Sequence, residues 1–144
     1  MATLGDVSEI LARNGHLVVL AIAREDGRVH ASLVSGGVLD DPVDGTPSLG
    51  LVAGGTARKL ALLRGRGHAT GVATHGYEWV AVSGAVRLVG PDDASAGLDV
   101  PAIIRSVFVS AGGQHEDWAA FDRVMAEERR CAVFVHADAV ASNG

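Results

Sequence analysis

The segment Gly54-Gly55-Thr56-Ala57-Arg58-Lys59 holds the only lysine of this 144-residue chain, and it sets two glycines and a hydroxyl ahead of two adjacent cations. Four of the twelve Lys and Arg residues (Arg58, Lys59, Arg64 and Arg66) fall within nine positions, and no Asp or Glu occurs between Asp44 and Glu78. The whole chain is at −5, whereas those four cations put this acid-free stretch at +4. Backbone N–H groups at a helix start, the positive end of the helix dipole, the Thr56 hydroxyl and two cations of different geometry would together hold a phosphate. An acidic protein with one short basic segment is expected to bind a small phosphorylated ligand, because nucleic acid needs a broader positive face. A helix cap flanked by solvated surface charge is the alternative.

Other chemistries have less support. Neither the Walker pattern Gly-x-x-x-x-Gly-Lys-Ser/Thr nor a Gly-x-Gly-x-x-Gly after a strand is present, which argues against nucleotide hydrolysis. The six histidines, at 16, 30, 68, 75, 115 and 136, show no pair at three- or four-residue spacing, and Cys131 is the only cysteine, so no metal site is expected. Ser35-Gly36-Gly37 is not the Gly-x-Ser-x-Gly elbow of a serine hydrolase. Trp79 and Tyr77 follow the basic segment and could contact a cofactor, although such aromatics more often fill a core or its rim.

The elements that must position these residues are legible from turn signals and periodicity. Asp6 can cap a short helix that Asn14-Gly15 ends. Strand signals run from His16 to Arg24 and from Arg28 to Val38 around the turn Glu25-Asp26-Gly27, and then from Ser48 to Ala53. Alanine and leucine spacing predicts a helix from Ala57 to about Arg64, so its N-terminus follows the glycine turn. His68 to Thr74 and Tyr77 to Val89 form a second hairpin, and Arg130 to His136 a last strand. Between them Pro101 to Ser110 and Asp117 to Glu128 are predicted helices, with Trp118, Phe121, Val124 and Met125 sharing a side. Six strands joined mainly by hairpins favour a small antiparallel barrel over a doubly wound parallel sheet.

At this length one domain over residues 1–144 is expected, with a core that needs no disulfide. The lone Cys131 in an apolar run points to a reduced, cytoplasmic setting, and no apolar run approaches the roughly 20 residues that span a membrane. Neither nucleic acid nor membrane is an expected partner.

The chain resembles the pyridoxamine-phosphate-oxidase-like split β-barrel flavoproteins, and within them the deazaflavin-dependent branch. The resemblance rests on Gly15-His16-Leu17-Val18 through Asp26-Gly27 to Ala31-Ser32, on Ala57-Arg58-Lys59-Leu60-Ala61-Leu62-Leu63, and on Val80-Ala81-Val82-Ser83-Gly84. The branch-specific part is His115-Glu116-Asp117-Trp118 with Met125 and Arg129-Arg130. The resemblance implies a mainly β fold with flanking helices, a six-stranded antiparallel Greek-key split β-barrel. It also implies a homodimer with cofactor sites at the subunit interface. By matching positions, Thr56, Ala57, Arg58 and Lys59 would hold the cofactor phosphate, while Ser32, Leu33, Val34 and Ser35 would line the ring edge through their backbone. Trp79 stands where oxidase members carry a flavin-contacting Gln. Ala57 replaces the usual hydroxyl, Ala81 and Ser83 replace an Arg and a Glu of the oxidase branch, and Gly36-Gly37 replaces bulkier residues.

The implied function is hydride transfer from reduced coenzyme F-420, a deazaflavin, to a small unsaturated or oxidised substrate. Its phosphate, lactyl and polyglutamate tail would suit Arg58, Lys59, Arg64 and Arg66. Tyr77 and Ser35 are candidate proton donors. The alternatives are a flavin mononucleotide (FMN) oxidase or reductase on the same barrel and a non-catalytic carrier or sensor of flavin, haem or tetrapyrrole.

Overall fold

A computed structural model describes residues 1–93 and 95–144. In chain order the elements are α1 (Leu4–Asn14), β1 (Leu17–Ala23), β2 (Val29–Ser35), β3 (Gly37–Asp40), β4 (Pro47–Ala53), α2 (Arg58–Arg66), β5 (His68–His75), β6 (Glu78–Val89), α3 (Val100–Ser110), α4 (Trp118–Glu127), β7 (Cys131–His136) and β8 (Ala139–Ser142). All strand pairs are antiparallel, in the order β2-β1-β5-β6-β7-β4-β3, with β8 on β6. The described residues hold no helix long and apolar enough to cross a membrane.

The described residues form eight strands where six were expected. The run read as one strand from Arg28 to Val38 is broken at Gly36 into β2 and β3, and the short β8 lacks the aromatic residues that would have announced it. β2 and β3 do not pair with each other, so hydrogen bonds do not close the sheet; the chain itself bridges its two ends through Gly36. Gly36 donates its N–H to the His16 carbonyl, and at Gly37 an added Cβ would lie 2.1 Å from the Ser110 carbonyl oxygen. The small pair Gly36-Gly37 therefore serves close packing at this corner.

β6 is the strand the rest is built around. Glu78 to Ala85 pair with β5, Val80 to Ser83 also with β8, and Val86 to Val89 with β7. Its inward residues Val80 and Val82 join Leu20, Ile22, Leu51, Leu60 and Leu63 in the main core, all 0–1% exposed. Truncating one of these leucines to Ala would cost about 2–5 kcal/mol. A second core holds Ile104, Val107 and Phe121 of the α3–α4 hairpin against Phe134. Asp117 and Asp99 cap α4 and α3 by accepting the Ala120 and Ala102 N–H groups, whereas α1 is entered at Thr3, whose N–H donates to Asp6 at 2.7 Å. Val124, expected on the packed side of α4, is 41% exposed.

One polar network ties the β3–β4 turn to β6 and β7. The fully buried Asp41 carboxylate accepts from Arg87 Nε at 2.5 Å and lies 2.7 Å from His136 Nε2, and the Val43 N–H donates to it at 2.8 Å. Burial pushes the Asp41 pKa up, but the Val43 N–H, His136 and Arg87 outweigh it and hold it below the ordinary 3.8. Such a depressed carboxyl stabilises the fold above its unfolded value, and that contribution is lost as pH falls through the folded-state value. Asp41→Asn is expected to cost about 1.5–3 kcal/mol at neutral pH in urea unfolding, with the gap from wild type narrowing below about pH 4.

Candidate anion-binding site

The start of α2 is positioned by strand register. β4 and β7 pair so that Ala53 faces Cys131, which brings Gly54-Gly55 alongside Arg129-Arg130. The Gly55 N–H donates to the Glu128 carbonyl at 3.0 Å, and a Cβ at Gly55 would stand 2.6 Å from the Arg129 carbonyl oxygen. Only a glycine fits this approach. The chain then turns at Gly54–Ala57 and enters α2, whose Leu60 and Leu63 sink into the main core while α2 packs against β1 and β5. At the other end Gly67, with φ +66°, closes the helix by donating to the Leu63 carbonyl.

The expected cap at the head of α2 carries no side-chain hydrogen bond, because Ala57 occupies the N-cap. Among the described residues, the Thr56 hydroxyl and the Arg58 and Lys59 side chains have no hydrogen bond or ion pair. Helix geometry leaves the first N–H groups of α2 without intrahelical acceptors. Burial, and then the charge of nearby Arg130, push the Lys59 pKa below its ordinary 10.5. A lysine in that position, with a second cation beside it and no carboxylate, is stabilised by an anion.

The distribution of paired charges sharpens this. Of the twelve Lys and Arg residues, Arg13, Arg28, Arg64, Arg87, Arg105, Arg129 and Arg130 lie in ion pairs with acids. Among the described residues Arg24, Arg58, Lys59, Arg66 and Arg123 have none, and all but Arg123 lie on α2 or against it. Arg64 stands apart from its neighbours: its Nε and Nη2 donate to the two Asp93 oxygens at 2.9 and 3.0 Å. The structure thus brings Arg64 to a carboxylate and not to the head of α2, a partner that lies 29 residues away and could not be read from spacing.

The remaining sequence candidates lie on the β-sheet. Ser32, Leu33, Val34 and Ser35 form the second half of β2, which pairs with β1 on one side only, so alternate backbone N–H and C=O groups face outward unpaired. Ser32 Oγ is buried without a partner, as are His30 Nδ1 on the same strand face and Arg24 Nε at the end of β1. Sequence reasoning missed Arg24 and His30, since each looks like an ordinary residue of a hairpin. These orphaned polar atoms, the free strand edge and the unpaired cations are each of a kind that bonds a polar or phosphorylated ligand. Trp79 lines a different hollow, of about 380 Å³, with α1 and the last residues of the chain. Tyr77 is 99% exposed at the β5–β6 turn.

Around Trp79 the outward face of the sheet carries no charge. Leu17, Val19, Val29, Leu33 and Trp79 are 38–63% exposed there, flanked by Ala21, Ala31, Val72, Ala81 and the hydroxyls of Thr70 and Ser83, which bond each other at 2.6 Å. Elsewhere Asp41, Asp44 and His136 place ligand atoms within 4.8 Å of one another, and Arg87 supplies a positive charge at that cluster.

With this geometry in view, the comparisons with known proteins locate the fold. No protein-family model matches the chain, and no curated protein does. Solved structures match over nearly its whole length. A pyridoxamine 5'-phosphate oxidase-related, FMN-binding protein from Nostoc punctiforme is 14% identical, with a TM-score of 0.66 over 99% of this chain and 84% of its own. A conserved hypothetical protein from Mycobacterium tuberculosis is 18% identical, with a TM-score of 0.67 and the same coverages, 99% and 84%. An F420 reductase, also 18% identical, gives a TM-score of 0.60 over 92% of this chain and 94% of its own. The chain has the fold of the pyridoxamine 5'-phosphate oxidase-like proteins, mainly β with flanking helices.

Cys131 lies at the start of β7, fully buried, with its Sγ 3.4 Å from an Asp93 oxygen. Burial, and then the Asp93 charge, push its thiol up to about 12, so almost no thiolate forms at neutral pH. Ellman's reagent is expected to leave Cys131 unmodified in the native protein and to release one equivalent of chromophore on unfolding; rapid native labelling would contradict this packing.

Proposed function

We propose that the chain is the subunit of a homodimeric oxidoreductase that binds reduced coenzyme F-420 and delivers its hydride to a small unsaturated or oxidised substrate. The observation that carries this is the unpaired, partly buried Lys59 beside Arg58 at the uncapped head of α2, in a protein that pairs most of its other cations. Lys59, Arg58, the Thr56 hydroxyl and the first N–H groups of α2 would grip the phosphate. The free edge of β2 from Ser32 to Ser35 would hold the ring edge through backbone groups. When bound, the deazaflavin supplies the hydride; the chain's part is to fix the ring and exclude water, so an acid–base pair is not compulsory. Flavin mononucleotide is the second candidate, because it too presents a phosphate to the same cradle.

A second copy of the chain is the proposed cover for the uncharged outer face of β1, β2, β5 and β6. An apolar sheet face of this breadth is uncommon on a monomer, and Trp79 lies on it. Pairing across this face would bring a neighbouring subunit to the β2 edge and wall off the ring from solvent.

Fluorescence titration of the purified protein with oxidised deazaflavin is expected to saturate. Lys59→Ala and Arg58→Ala should each weaken binding by about 1.5–3 kcal/mol while leaving the melting temperature of the apo-protein nearly unchanged. Affinity unaltered by loss of Lys59 would remove the site assignment, and tighter saturation by flavin mononucleotide would transfer the site to that cofactor. In sedimentation the wild type should run as a dimer of the 14.7 kDa chain, and Leu33→Glu as a folded monomer. A wild-type monomer at micromolar concentration would rule out the shared interface.

A further inference from the structure

The α3–α4 hairpin carries an apolar cavity of its own. Val100, Pro101 and Ile104 of α3, Met125 and Ala126 of α4, and Pro91 after β6 line about 320 Å³. Val100 and Ile104 are four residues apart, as are Asp122 and Ala126, so each helix turns one face to the cavity. Ile104 is 3% exposed and belongs to the second core, with Val100 and Met125 packed against it. Of the lining side chains only Asp122 and Arg130 are polar. Asp122 is already engaged: its two oxygens accept from Arg105, from Nε at 2.8 Å and also from Nη2. Arg130 Nε donates to Glu128 at 3.1 Å in a pair exposed at both ends, and its Nη groups have no partner among the described residues. The acids nearby are committed too, Asp92 to Arg129, Asp93 to Arg64 and Asp99 to the Ala102 N–H. Lys59, which has no carboxylate partner, is close enough for the Arg130 charge to lower its pKa. The available charge beside Arg130 is therefore positive.

We infer that this cavity binds a small planar aromatic carboxylate, its ring body between α3 and α4 and its carboxylate on Arg130. Size follows from volume: about 320 Å³ is roughly twice the ~150 Å³ that admits one benzene ring, so a body of two fused rings fits. Shape follows from the walls, because the Met125 thioether favours the edge of an aromatic ring and the flat guanidinium of Arg130 stacks on ring faces. Charge follows from the open Nη groups, which can bond a carboxylate at two points. A cationic ligand would need a free carboxylate here, and Arg105 holds that of Asp122. A neutral ring would leave Arg130 to water. The inference goes beyond the proposed function and does not rest on it, since neither the head of α2 nor the edge of β2 lines this cavity.

The test is calorimetric titration of the full chain with 2-naphthoate and, separately, with its neutral analogue 2-naphthol, at physiological ionic strength. Naphthoate should saturate at one equivalent per chain and bind about tenfold more tightly than naphthol, as expected for one charged hydrogen bond. Arg130→Gln should remove that preference, raising the naphthoate dissociation constant about tenfold and leaving that of naphthol within twofold. Arg123→Gln takes an unpaired cation from α4 outside the cavity and should change neither more than twofold. Ala126 is exposed, so Ala126→Trp fills the cavity mouth without touching the core and should abolish binding of both probes. Location has a second readout: the chain has two methionines, and of their methyl NMR signals that of Met125 should move with naphthoate while that of Met1 stays. Absence of saturation, equal affinity for the two probes, an equal loss in Arg123→Gln or an unmoved Met125 signal would each overturn the site. Failure of the Lys59 site would show instead as deazaflavin binding indifferent to Lys59→Ala, which leaves the naphthoate result as it is.

Discussion

A single twelve-residue strand, β6, has to join the two halves of the sheet, and this constraint shapes the rest of the molecule. The hand-over falls between Ala85 and Val86, just past Gly84, where an added Cβ would sit 2.0 Å from the His136 carbonyl oxygen and 2.7 Å from an Asp138 carboxylate oxygen. Asp138 in turn accepts the Ala85 N–H at 2.9 Å, so the loop between β7 and β8 is stitched to the bend. Before the bend β6 builds, with β5, β1 and β2, the uncharged outer face. Beyond it, β6 pairs β7, and β7 pairs β4 in the register that delivers the chain to α2. Any side chain at Gly84 would have to push apart the strands on which both surfaces depend.

The same economy appears in the charges. Most guanidinium groups are spent holding elements together: Arg64 ties α2 to the turn after β6, Arg87 ties β6 to the β3–β4 turn, and Arg105 joins α3 to α4 through Asp122. The exposed pairs among them contribute little to stability, unlike the one made by the buried Asp41, but all of them determine which cations remain available. The residue is a group of unpaired cations on and around α2, a helix that lies in the longest acid-free stretch of the sequence. Acids are brought to α2 at Asp92 and Asp93 and at the β1–β2 turn, and each is placed by tertiary contacts.

Much of the scaffold was legible in one dimension. Gly15 and Gly27 adopt positive φ where the helix-stop and turn signals were read, because a residue without Cβ is needed there whatever its surroundings. Boundaries at α2, α3 and α4 shifted by only one or two residues. The break at Gly36 was not legible, since the glycine there answers to Val18 and Leu49, which meet it from elsewhere in the fold. The small residues at 36 and 37 looked like missing ligand contacts; in three dimensions they are corners too tight for anything larger.

What the sequence determined by itself was local: turn positions, helix caps, the alternation that builds strands, and an acid-free run of cations behind two glycines. Those features depend on interactions within a few residues, so they are written in neighbouring letters. The tertiary structure alone decided which cations stay unpaired, that Arg24 joins Arg58 and Arg66 around one hollow, that Arg64 is withdrawn to Asp93, and that the charge of Arg130 reaches Lys59. Charge pairing acts through space over a few ångströms, and the partners it selects are dozens of residues apart along the chain.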